Sequence, residues 1–231
     1  MLKDKTLSSF RIVSLLIIYF FLYLFLFQDV LGPMISSKFG QNGVVISLLS
    51  SNIILLIVFF IVCWKYYAFS FEKFFENTQK NIYAVILAVV ALFLTEIIVG
   101  NFISVVFPQA ISDNQTNNEA ILNTMPAGFI FISVICAPII EETIFRGCLF
   151  SKIREKHSFL LSASISAFVF GFLHIVASLL SGNLYNCVYF ILYALCGFIL
   201  CIPYEDTETI ASSIFTHMLC NFISVVIVWI H

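Results

Sequence analysis

The sequence predicts an all-α, polytopic integral-membrane helix bundle with about seven transmembrane helices. Three observations carry this reading. Hydrophobic residues make up 61% of the 231 positions and charged residues only 10%, too little polar surface to cover a water-soluble domain of this size. Mean hydropathy is +1.05. The apolar residues fall in long runs instead of short alternating segments, which indicates helices and not barrel strands.

Taken in order at roughly 20 residues per crossing, the runs are 12–31, 44–64, 82–107, 127–150, 159–180, 184–202 and 210–230. The first follows Lys3, Lys5 and Arg11, as a secretory signal would. Its apolar run is longer than a usual signal core, however, and no small-residue cleavage site precedes Gln28 and Asp29, so it reads as a retained anchor. The second run carries Asn52, expected to make an interhelical hydrogen bond. The third carries Glu96 and Asn101, which either line a cavity or pair locally. No internal repeat or low-complexity linker divides the chain. It reads as one membrane domain.

Basic residues orient the bundle. Lys3, Lys5, Arg11, Lys65, Lys73, Lys80, Lys152, Arg154 and Lys156 fall in segments that share one face, and Lys38 alone falls on the other. Nine against one predicts a cell-membrane protein with a cytoplasmic N-terminus and with His231 outside. Residues 203–209 are expected to form a cytoplasmic loop, although Glu205, Asp206 and Glu208 make it acidic. His157 and His231 fall at span ends and read as solvated. The seven cysteines include no CxxC pair and read as small apolar packing residues.

The fourth run contains APIIEETIFRG, residues 137–147. A charge near the centre of a membrane helix costs about 2.5–3.5 kcal/mol, so this cluster must pair or face water. Glu142 and Arg146 are four apart, acid before base, and pair along one helix face. Glu141 points about 100° away and has no local partner, which leaves it available as a base. Pro138 is expected to begin a fresh turn or a kink, placing both glutamates near a helix N-terminus. The bland alternative is a single structural ion-pair network. The fifth run contributes FGFLH, with His174, and the seventh HMLCN, with His217 and Asn221 on one face. Taken singly, His174 suits a packed histidine donating to a carbonyl, and His217 with Asn221 suits an interhelical hydrogen bond. Together the three helices supply a carboxylate, two imidazoles and an amide, the inventory for hydrolysing an amide bond.

EExxxR (Glu141, Glu142, Arg146), FxxxH (Phe170, His174) and HxxxN (His217, Asn221), in that order and on separate helices, resemble the CPBP family of intramembrane proteases. That family, also called Abi, includes CAAX prenyl endopeptidases and bacteriocin-processing and self-immunity proteins. The resemblance covers roughly residues 126–224 and implies a catalytic core over 121–231, with variable spans over 1–120. It implies that Glu141 activates a water, that His174 holds that water or a metal, and that His217 and Asn221 donate to the oxyanion. Glu142 and Arg146 are the supporting pair. A zinc ion on Glu141, His174 and His217 and a metal-free glutamate mechanism both remain open, since there is no HExxH. The expected partners are the lipid bilayer and a peptide or membrane-linked protein substrate, cleaved in the cytoplasmic half of the membrane; no nucleic-acid partner is expected. A non-catalytic bacteriocin-immunity or other binding protein is the alternative. A transporter using Glu96, Glu141 and Arg146 is the third reading, and it lacks the inverted repeats that would support it.

Overall fold

The bundle comprises α1 (Ser9–Gly40), α2 (Asn42–Glu76), α3 (Thr78–Val106), α4 (Asp113–Thr124), α5 (Pro126–Arg154), α6 (Phe159–Leu180), α7 (Asn186–Thr207) and α8 (Ile210–Ile230). All but α4 are long and apolar enough to cross a membrane, and no strand occurs among the described residues. This is a multi-pass membrane protein. The structure is a computed structural model describing residues 7–230, with Gln28, Asp29 and Gln41 described by backbone alone. Lys3, Lys5 and His231 lie outside the described residues.

Local chemistry sets the boundaries. Ser8, Ser112 and Ser158 cap α1, α4 and α6, each hydroxyl accepting the N–H three residues on, a group the first helical turn leaves unpaired. Gly40 adopts φ 58° between α1 and α2, a conformation that glycine reaches without a Cβ penalty. The α2–α3 break falls at Asn77, where Asn81 Nδ2 donates to Phe74 O at 2.8 Å.

Helices run further than hydropathy predicts. α2 continues past residue 64 because Tyr66, Tyr67, Ser70 and Phe74 form a buried stripe at helical spacing. Lys65 and Lys73, and Lys80 on α3, therefore sit on helices, not in a loop. Residues 203–209 are likewise not a free loop: α7 runs to Thr207, burying Cys201, Pro203 and Thr207. α4 was not foreseen, since only Leu122 of its residues is buried and its polar sequence reads as a loop.

Ion pairs gather three helix junctions at one end of the bundle. Lys73 Nζ contacts Glu208 at 2.6 Å and Arg154 contacts Glu205 at 2.8 Å. Lys80 Nζ donates to Asp206 O at 2.9 Å. The acidic segment 205–208 is thus neutralised by neighbours, which accounts for its place at the basic end. At the far end, Asp113 accepts from Ser178 Oγ at 2.5 Å and from Asn186 Nδ2 at 2.9 Å, fastening α4 to α6 and α7.

Packing is tightest between α6 and α7. A Cβ at Gly171 would lie 2.8 Å from Ala194 N, and one at Gly197 would lie 3.0 Å from Phe170 Cδ1. Glycine here allows the close backbone approach that drives helix association in lipid. The outward faces stay apolar, with Ile61, Ile98, Val105 and Phe168 all exposed, as hydrocarbon surroundings require. All seven cysteines are free thiols, and Cys63, Cys136, Cys148, Cys201 and Cys220 are buried. Asn52 makes its interhelical bond, accepting from Tyr23 Oη at 3.1 Å.

Candidate active site

The site is built around α5, whose backbone alternates between α-helical and π-helical turns. π-helical stretches at Phe131–Cys136 and Thr143–Phe150 flank the α-helical turn Ala137–Glu142. Pro138 stands at the start of that turn, which bears out the fresh turn. The helix does not restart there, however. The wider preceding turn absorbs the missing N–H and the ring, so Glu141 and Glu142 sit mid-helix, away from any free N-terminus. Inserted π turns also recur at functional positions.

Glu142 and Arg146 are both completely buried, 0% exposed. Arg146 Nη1 donates to Glu142 Oε1 at 3.0 Å and Nη2 donates to Gly197 O at 2.6 Å. The guanidinium also lies 4.9 Å from the Phe170 ring centroid, a favourable cation–π contact. The side chains of α5 are braced from α2 and α6: Tyr67 Oη lies 2.7 Å from Thr143 Oγ1, and Ser166 Oγ donates to Phe145 O at 2.9 Å.

His217, on α8, places Nδ1 2.8 Å from the same Glu142 Oε1. A carboxylate that faces an arginine can only accept, so Nδ1 carries the proton and Nε2 is left for other work. His174 places Nδ1 2.8 Å from Phe170 O, and a carbonyl fixes the same tautomer. The Phe170 ring lies between the imidazoles, with centroids 4.4 Å from His174 and 6.3 Å from His217. Asn221 Nδ2 donates to Ser133 O at 2.8 Å, holding α8 to α5 and leaving one amide N–H. Glu141 has no hydrogen-bond partner among the described residues.

Glu141, His174, His217 and Asn221 all line one cavity of about 700 Å³. Glu96 lines it as well, with Cys220 Sγ 3.9 Å from its Oε1. Asn101 does not line it; that residue is exposed and donates back to Ile97 O. Among the described residues, the lining includes Glu96, Glu119 and Glu141 and no lysine or arginine. Glu142 and Arg146 lie behind the wall.

The cavity's position corrects an expectation. It lies towards the end of the bundle opposite the basic residues, not towards the basic end. Its lining takes in Ser112, Asn114, Gln115 and Glu119 around α4, and Ser224 and Val228 of α8. Val228 lies 18 residues beyond Ile210, about 27 Å along the helix. His174 lies 15 residues beyond Phe159, about 22 Å along α6, and a cavity extending to the far end accommodates it.

Among the described residues, no three His, Cys, Asp or Glu side chains group closely enough to hold a metal ion. The set Glu141, His174 and His217 therefore does not fit zinc as it stands. Two further residues escape the sequence motifs. Tyr193 stacks on His174 with centroids 4.6 Å apart, and its hydroxyl lies 2.7 Å from Ser112 Oγ and 3.3 Å from Asn114 Nδ2. Ser133 supplies only a backbone carbonyl. No motif signals either role, since one is a ring contact across helices and the other is independent of side-chain identity.

Comparison with known proteins finds similarity over the segment that carries the motifs. Residues 123–223 match the family described as Type II CAAX prenyl endopeptidase Rce1-like. A curated relative from Bacillus subtilis (strain 168), named "Putative membrane peptidase YdiL", is 33% identical over 107 residues. That alignment covers 46% of this chain and 40% of the relative, so the matching region spans less than half of either protein. No solved structure matches the chain. The matched region contains the EExxxR, FxxxH and HxxxN motifs, and over that region the chain is similar to the Rce1-like, type II CAAX prenyl endopeptidase family.

Proposed function

We propose that the protein is an intramembrane endopeptidase that hydrolyses a peptide bond in a peptide or membrane-associated substrate. The observation that carries this reading is the meeting, in one cavity, of an unpartnered glutamate with two imidazoles and an amide from separate helices. Each would otherwise be an expensive polar group in hydrocarbon.

Glu141 takes a proton from water as the oxygen attacks the carbonyl carbon. His174, with Nδ1–H held by Phe170 O, accepts from that water at Nε2 and fixes its position. Asn221 donates its second amide N–H to the developing oxyanion. His217, anchored at Nδ1 by the Glu142 carboxylate, donates there too from Nε2. Collapse of the tetrahedral intermediate breaks the C–N bond, and Glu141 passes its proton to the leaving amine. No step is routed through a metal. Residues 1–120 help enclose the site, since Tyr23, Leu48, Asn52, Leu92 and Glu96 line the cavity.

The experiment is peptidase assay of the purified protein on a peptide library, beside Glu141→Gln. Cleavage that the variant loses supports the reading. A binding protein or a transporter cleaves nothing in either form.

A further inference from the structure

Resting on the peptidase reading, we propose that substrate reaches the cavity from the outer face of the membrane, past α4, so that the substrate is a peptide presented outside the cytoplasm. Three observations lead there. The nine-to-one bias of basic residues assigns the basic end to the cytoplasm. The ion pairs of Lys73 and Arg154 and the hydrogen bond of Lys80 with segment 205–208 gather three junctions at that same end. The cavity lining reaches the opposite end, where Gln115 and Glu119 of α4 are exposed.

The route from the cytoplasmic end is closed. Between that end and the cavity lie Phe145, Arg146, Phe150, Ile210 and Ile214, each no more than 2% exposed. Tyr66 Oη and Tyr204 Oη meet at 3.4 Å across the same layer. A peptide would have to unpack this layer, including a completely buried ion pair. At the other end, among the described residues, it meets the rim formed by α4, whose side chains are polar and half-buried or exposed around Ser112 to Glu119.

The test uses the full chain in intact cells, in a Cys187→Ser, Cys196→Ser, Cys220→Ser background, because the first thiol is half-buried near the same end and the other two line the cavity. Gln115→Cys reports the rim, Ser224→Cys the cavity interior, and His157→Cys the cytoplasmic end. A membrane-impermeant maleimide should label the first two in intact cells and His157→Cys only after permeabilisation. Labelling of Gln115→Cys and Ser224→Cys only after permeabilisation overturns the proposal, whatever the enzymatic activity. In parallel, a quenched fluorogenic peptide library made impermeant by sulfonation is supplied outside. Cleavage by intact cells, lost when Gln115→Cys is modified with a bulky maleimide, supports external entry. Cleavage only after permeabilisation overturns it. Cleavage in neither preparation counts against the peptidase reading, and the labelling pattern then decides the direction of entry alone.

Discussion

Glu142 Oε1 accepts hydrogen bonds from both Arg146, at 3.0 Å, and His217, at 2.8 Å. One carboxylate oxygen thus ties an ion pair within α5 to an imidazole on α8. It neutralises the arginine and, like the orienting acid of a catalytic triad, fixes a histidine tautomer.

Glu142→Gln therefore has two expected effects. It strands a completely buried arginine, and breaking such a pair costs roughly 3–5 kcal/mol. It also releases His217. Melting temperature in detergent and expression should fall together with activity. Arg146→Gln should reproduce the stability loss, and unchanged melting in either variant contradicts the arrangement.

The α6–α7 contact predicts opposite outcomes for two glycines. Gly171→Ala sets a Cβ 2.8 Å from Ala194 N, backbone that cannot swing aside, and should cost about 1–3 kcal/mol as overpacking does. Gly100 has nothing within 4 Å of its Cβ position. Gly100→Ala should raise the melting point, by up to about 1 kcal/mol of helix propensity. Equal responses in a thermal melt would refute the close-approach account.

Tyr193 is expected to position His174. Tyr193→Phe keeps the stacked ring but removes the link to Ser112 and Asn114, a loss of roughly 0.5–1.5 kcal/mol. It should raise KM through a looser α4 while kcat stays near wild type. Tyr193→Ala also frees the imidazole and should lower kcat. Steady-state kinetics on one peptide separates the two, and identical effects on kcat count against a positioning role.

The charge of the cavity predicts a preference. With Glu96, Glu119 and Glu141 in the lining and no lysine or arginine among the described residues there, peptides carrying lysine or arginine should bind better than neutral ones. Glu96→Gln should weaken that discrimination about tenfold, equivalent to 1.4 kcal/mol, with neutral peptides unaffected. Comparing KM for matched basic and neutral peptides checks it.

Much of this was legible in the sequence because hydrocarbon penalises isolated polar groups. Seven runs of apolar residues gave seven spans, and i,i+4 spacing alone paired Glu142 with Arg146 and left Glu141 over. The helix ends were misjudged because hydropathy does not see a buried aromatic stripe such as Tyr66, Tyr67 and Phe74. α4 was missed because its residues hold the site's rim with little burial. The bond from His217 to Glu142 joins residues 75 apart in sequence, and no local spacing encodes it. The expected place of cleavage in the cytoplasmic half was not legible for the same reason: no local spacing says to which end a cavity opens.

The central claim is that Glu141 is the base and Glu142 the support, and Glu141→Gln tests it most directly. The substitution keeps the side chain's shape and disturbs no hydrogen bond between described residues. The purified variant should melt within error of wild type while its peptidase rate falls about 10²–10⁴-fold, as loss of a general base requires. A Glu141→Gln protein that retains wild-type cleavage, beside a well-folded but inactive Glu142→Gln, would contradict the account and reverse the roles of the two glutamates.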